Sequence, residues 1–168
     1  MELSVVIPVR NEAPNIAPLV AEIRAALDGA CDYEIVYVDD GSSDETAAAI
    51  RALARDVSRL RLVRHRAGAG QSAAILSGVK AAQGAWIATL DGDGQNDPAD
   101  IPRLLQMARQ APASPPLLLA GWRQRRRDSA VKRLSSRLAN AVRARLLGDG
   151  TPDTGCGLKL FRRALFLE

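Results

Sequence analysis

Apolar residues along this chain fall into two alternating rhythms. Short, nearly unbroken apolar runs rich in β-branched residues lie at 3–9, 33–39, 60–64, 85–90 and 117–120. Runs with no regular polar face predict parallel strands covered on both sides. Between them the period lengthens. Ile16, Leu19, Val20, Ile23 and Leu27 recur at helical spacing, and Ile50, Leu53 and Val57 do the same. Ser43 or Asp44 can cap that second helix. Further helices are predicted over about 71–82 and 100–110. Strand–helix alternation with short connections predicts an α/β domain: a mainly parallel sheet with helices on both faces. Past the loop QAPASPP (110–116) and the fifth strand, Val131, Leu134, Leu138, Val142 and Leu146 form an apolar stripe on a helix whose other faces are basic.

The polar clusters are placed more informatively than their composition suggests. PVRNE (8–12) follows the first strand, DDGSSD (39–44) the second, DGDGQ (91–95) the fourth and GWR (121–123) the fifth. Asp, Gly, Asn and Ser are turn residues, so any one cluster could be ordinary turn chemistry. Four at the carboxyl ends of strands coincide with the edge where open α/β sheets bind ligands. In a doubly wound order the first and fourth strands are neighbours, and their clusters flank the crevice.

Asp91 and Asp93, two positions apart as the chain leaves a strand, can point the same way. Paired carboxylates are hard-oxygen ligands suited to Mg2+ or Mn2+, which would bridge a diphosphate. Asp39 and Asp40 are adjacent and face opposite ways on a strand, so at most one addresses a given ligand. Asp40 is the ligand candidate. A carboxylate repels phosphate, so its partner is a base or a sugar hydroxyl.

The 168 residues are 47% hydrophobic, 25% charged and 4% aromatic, enough apolar material for one real core. Disorder and sustained repeats are excluded. No apolar run approaches the roughly 20 residues of a membrane-spanning helix, and MELSVVIPVRNE has neither the basic leader nor the cleavage site of a signal peptide. Cys31 and Cys156 form no metal-type pair and read as reduced thiols. The formal net charge of +4 hides an asymmetry. Residues 1–120 hold 11 basic and 15 acidic side chains, whereas 121–146 holds nine basic ones against Asp128 alone. That segment is a solvated helix face or a site for an anionic partner: a membrane surface, a phosphorylated substrate or nucleic acid. So few aromatics leave base stacking little to work with, and no nucleic acid is expected. The chain stops within an apolar segment (161–168), so further residues are expected beyond it.

VVIPVRNE, VDDGSSDET, GAGQSAAILSG and TLDGDGQNDP together resemble the family 2 glycosyltransferases of GT-A fold, nearest the dolichol- and polyprenyl-phosphate sugar transferases. The resemblance covers about residues 3–125 and is supported by TPDTGCGLKLFRR, similar to the acceptor-side segment of that group. It implies one catalytic domain over 1–168, nucleotide-sugar-binding to about 125 and acceptor-side from about 121. It further implies that Pro8, Arg10 and Glu12 bind the nucleotide, with Val38 and Asp40 around base and ribose. Asp91 and Asp93 carry the metal and donor diphosphate at the catalytic centre, with Gln95 as a metal or acceptor contact. Arg123 contacts phosphate, joined on the acceptor side by Lys132 and Arg133.

The activity so implied is inverting transfer from a nucleotide-sugar to a polyprenyl phosphate, by a peripheral protein at the cytoplasmic face of the membrane. A phosphate acceptor, with a second pKa of about 6, needs no general base. The single histidine, His65, is assigned no catalytic role. A saccharide or other hydroxyl acceptor is the alternative, and its carboxylate base could be Asp153 or lie beyond Glu168. A phospho-receiver domain is disfavoured, because Arg10-Asn11-Glu12 stands where its acidic pair would be.

Overall fold

The computed structural model describes residues 1–112, 117–121 and 156–167. Six strands, β1 (Leu3–Val9), β2 (Tyr33–Asp39), β3 (Leu60–Arg64), β4 (Trp86–Thr89), β5 (Leu118–Ala120) and β6 (Lys159–Arg162), form one sheet in the order β3-β2-β1-β4-β6-β5. The helices are α1 (Ala13–Leu27), α2 (Thr46–Leu53), α3 (Gln71–Ala81), α4 (Ile101–Gln110) and α5 (Arg163–Leu167). Strands β1 to β4 are mutually parallel. Strand β6 runs antiparallel to both β4 and β5, which sets β5 parallel to the rest. The first and fourth strands are neighbours, as a doubly wound order requires.

The buried pattern explains the unbroken apolar runs. Leu3, Val5, Ile7 and Val9 of β1 face one side, where α1, α2 and α4 supply Ile16, Ile23, Ile50 and Leu105. Val6, Val36 and Val38 face the other, where α3 supplies Ala74 and Val79. Neither face of the central strands meets water, so alternation is lost. Each fully buried aliphatic contributes about 1.5–3 kcal/mol.

Two expectations shift. Helix α2 stops at Leu53, and Val57 reaches the core from the turn beyond it. Strand β6 was not expected; KLFR (159–162) is short, with a cation at each end. Inserted between β4 and β5, it carries residues 156–159 to the rim below β4. The apolar stripe over 131–146 lies outside the described residues. Both cysteines are free thiols. Among the described residues no helix is long and apolar enough to cross a membrane.

Candidate active site

The first two strand-end loops are built out of each other. Asn11 adopts φ 57°, a left-handed conformation that asparagine tolerates. This turns its Oδ1 towards Ser43, whose amide donates to it at 2.9 Å, while the Asn11 amide donates to Ser42 Oγ at 2.9 Å. The Glu12 amide donates to Thr46 Oγ1 at 2.9 Å, and the Ala13 amide to Asp44 Oδ2 at 3.3 Å. Three amides at the start of α1 are thus satisfied from the neighbouring loop, where a helix ordinarily caps itself. Asp44 also accepts from the Thr46 amide at 3.0 Å, ahead of α2. Its carboxyl is held below the ordinary aspartate value, chiefly by the Thr46 hydroxyl.

Asp39 and Asp40 divide as their alternation requires. Asp39 is fully buried, accepts from the Ser42 amide at 2.9 Å and lies 3.0 Å from Arg64 Nε, within ion-pair range but outside hydrogen-bond alignment. Asp40 turns to the ligand edge at 5% exposure. There it accepts from the Ala69 and Gly70 amides, both at 2.8 Å, and meets His65 Nδ1 at 2.7 Å. Burial alone would raise its pKa, but the amides and the imidazole outweigh that and hold it below the ordinary value. Gly41, at φ 70°, lets residues 67–68 pass so closely that a Cβ would meet Gly68 N at 2.7 Å.

Asp91 leaves β4 held at several points. Its amide donates to Asn96 Oδ1 at 3.2 Å, and its Oδ1 accepts from Gln71 Nε2 at 3.0 Å. Asn96 is 4% exposed, and its Nδ2 lies 3.5 Å from Cys156 Sγ. Gly157 lies directly against the Asp91 carboxylate: a Cβ there would overlap both carboxylate oxygens. Thr89 Oγ1 fixes that segment by donating to the Gly157 carbonyl at 2.6 Å. Asp93 Oδ1 accepts from the Gln95 amide at 3.0 Å, a tight turn that re-aims the chain.

These loops enclose one cleft of about 760 Å3, lined by Pro8, Arg10, Glu12, Asp40, Asp91 and Asp93 among the residues expected from sequence. Gly70, Gln71, Ser72, Gly157 and Lys159 complete much of its wall. Two expected residues stand elsewhere. Val38 is fully buried, its side chain taken up by the core under α3, and Gln95 is exposed and does not line the cleft. The neighbouring Asn96 is the one turned inward. Arg123, Lys132, Arg133 and Asp153 lie outside the described residues. Sequence reasoning missed Gln71, Asn96, Gly157 and Lys159. All four stood within quoted motifs without being assigned a part.

Four carboxylates and two cations line the cleft. Among the described residues no three His, Cys, Asp or Glu side chains gather to hold a metal ion. Asp91 and Asp93, both lining the cleft, could give two carboxylates of a ligand set, the kind that Mg2+ or Mn2+ completes with diphosphate oxygens and water.

Comparison with known proteins bears on this arrangement. The family model described as glycosyl transferase family 2 matches residues 4–168. A dodecaprenyl-phosphate galacturonate synthase of Rhizobium johnstonii is 38% identical over 171 residues, covering 100% of this chain and 50% of its own. An undecaprenyl-phosphate 4-deoxy-4-formamido-L-arabinose transferase of Pseudomonas aeruginosa is 41% identical over 165 residues, covering 97% of this chain and 48% of its own. The chain thus spans about half the length of these relatives. Among solved structures, a mannosyltransferase from Pyrobaculum calidifontis in complex with GDP-Man and Mn2+ superposes with TM-score 0.72 at 24% identity, over 99% of this chain and 46% of that one. Glucosyl-3-phosphoglycerate synthase from Mycobacterium tuberculosis, in complex with Mn2+, UDP and phosphoglyceric acid, gives 0.72 at 23%, over 98% and 56%. The shared fold is the GT-A arrangement.

Proposed function

The chain belongs to glycosyl transferase family 2, and from that premise we propose that it takes part in inverting transfer of a sugar from a nucleotide-sugar, GDP-mannose or a UDP-hexose, to a polyprenyl phosphate at the cytoplasmic face of the membrane. The observation that carries this reading is the convergence of Glu12, Asp40, Asp91 and Asp93, from three separate strand ends, on one cleft. The acceptor class rests on the relatives named for dodecaprenyl and undecaprenyl phosphate. It also rests on the basic segment 121–146, since each basic residue near an anionic leaflet contributes on the order of 1 kcal/mol.

The residues divide the work by chemistry. Pro8, Arg10 and Glu12 form the nucleotide side with Asp40, whose one remaining acceptor site, on Oδ2, suits a base N–H or a ribose hydroxyl. Asp91 and Asp93 would hold the divalent cation, which when bound neutralises charge growing on the departing diphosphate. Lys159 adds a positive charge on the same wall, its Nζ steadied by the Cys156 carbonyl at 2.8 Å. The acceptor oxygen forms a bond to the anomeric carbon while the bond to the donor diphosphate breaks, and the electron pair leaves with the nucleoside diphosphate. A phosphate acceptor is already largely ionised at neutral pH, so no residue need take its proton.

Incubating the chain with labelled nucleotide-sugars and Mn2+, with either polyprenyl phosphate or soluble sugars as acceptor, tests the proposal. Label is expected in the lipid fraction. Transfer to soluble sugars alone would contradict the lipid-phosphate acceptor.

A further inference from the structure

His65 closes β3 with its ring laid across the back of the ligand edge, between β2 and α3. Its Nδ1 lies 2.7 Å from Asp40 Oδ1 and its Nε2 2.9 Å from Ser77 Oγ, and the ring is largely buried. Asp40 is an acceptor, so Nδ1 carries the proton, and in the neutral ring Nε2 accepts from the Ser77 hydroxyl. The His65 backbone is fixed as well, its amide donating to the Asp39 carbonyl at 2.9 Å. A residue held at both ring nitrogens and at its backbone amide orients the carboxylate it touches.

That carboxylate in turn sets the loop beside the cleft. Asp40 receives the amides of Ala69 and Gly70, and Gly70 is the residue from which α3 starts. The next residue, Gln71, reaches across to Asp91 Oδ1 at 3.0 Å. Hydrogen bonds from Ser77 through His65 and Asp40 to residues 69–70, then the peptide bond to Gln71 and its hydrogen bond to Asp91, thus form one connected path.

Resting on the nucleotide-sugar reading of the cleft, we infer that His65 is a positioning residue for donor binding: it fixes Asp40, and through Asp40 the 66–70 loop and the entry of α3. The order Ser77–His65–Asp40 matches the connectivity of a hydrolytic triad. Ser77, however, sits inside α3 and does not line the cleft. The constellation therefore holds a loop in place and does not present a nucleophile.

Amide hydrogen exchange and nucleotide titration on the full chain, compared for wild type, His65→Ala, His65→Asn and Ser77→Ala, test this. In His65→Ala, exchange at Ala69 and Gly70 is expected to quicken, while β1 and α1 amides keep their protection. Affinity for GDP or UDP with Mn2+ is expected to fall about tenfold. His65→Asn retains a donor towards Asp40 and is expected to recover most of both, with Ser77→Ala intermediate. Unchanged exchange and affinity in His65→Ala, or covalent labelling of Ser77 by a fluorophosphonate, would overturn the role of His65. A wild type that binds neither nucleotide while exchange at Ala69 and Gly70 still responds to His65→Ala would instead sink the reading of the cleft, and donor positioning with it.

Discussion

Gly157 shows how a single missing carbon can keep a site open. The Asp91 carboxylate occupies the space a Cβ at this position would take, and the segment cannot retreat while Thr89 holds its carbonyl. Gly157→Ala is therefore expected to displace Asp91 and to weaken Mn2+-dependent nucleotide binding by more than about tenfold, or ~1.4 kcal/mol. Titration beside a thermal melt would register this, and unchanged affinity would refute it. The place of Asp91 and Asp93 on the cleft was legible in the sequence because both follow an apolar run that reads as a strand. Gly157 was not: its neighbour lies 66 positions earlier, and nothing local says which residue a glycine makes room for. The same limit explains Gln95 and Asn96. Both are amides in one turn, and only the tight turn at Asp93 decides that Asn96 is buried beside Cys156 while Gln95 faces solvent.

The elements were read more fully than their junctions. Unbroken apolar runs and helical spacing located β1 to β5 and α1 to α4, because burial on both sheet faces leaves a strong local pattern. Strand β6 leaves none, since four residues with a cation at each end look like the edge of any apolar stretch. The lacing of the first two loops was equally invisible, since Asn11 and Ser42 read as ordinary turn residues and Thr46 was assigned no part. Asn11 nevertheless holds two loops together and does so at positive φ. Asn11→Ala should cost more than Asn11→Gly by about 1 kcal/mol, because both lose the Ser43 contact while only alanine resists the left-handed backbone. Urea denaturation of both variants measures the difference. Equal stabilities would mean that the turn relaxes once the side chain is gone. Helix α3 offers a packing counterpart. A Cβ at Gly78 would strike Val6 and come within 3.0 Å of Val38, so Gly78→Val is expected to lift the helix off β1 and β2 and lower stability by about 1–3 kcal/mol.

Across the described residues the sheet gathers the cleft-lining carboxylates at one edge and buries a structural charge of its own at the other. At the edge remote from the cleft, Glu34 is buried, accepting from Ser4 Oγ at 2.7 Å, the Gln83 amide at 2.6 Å and Arg61 Nη1 at 2.7 Å. Burial alone would raise its pKa; Ser4, the Gln83 amide and Arg61 together hold it below the ordinary value of 4.5. A depressed carboxyl stabilises the fold fully above 4.5, and that contribution drains away as pH falls below 4.5 through the folded-state value. Glu34→Gln is accordingly expected to flatten the acid limb of a stability-versus-pH curve and to lower stability at pH 7 by about 2 kcal/mol. An unaltered acid limb would show that another carboxylate governs it. The basic segment 121–146 should bring the chain to anionic vesicles at low ionic strength and release it as salt is raised, since such attraction is screened within about a Debye length. Sedimentation with anionic and neutral vesicles distinguishes this from a segment that binds neither. The most direct measurement is calorimetric titration of GDP and UDP, with and without Mn2+, into the wild-type chain and Asp91→Asn. One nucleotide is expected to bind in a Mn2+-dependent manner, with affinity reduced more than about tenfold by Asp91→Asn. Failure of both nucleotides to bind wild type, or Mn2+-dependent binding that survives Asp91→Asn undiminished, would contradict a donor site built on Asp91.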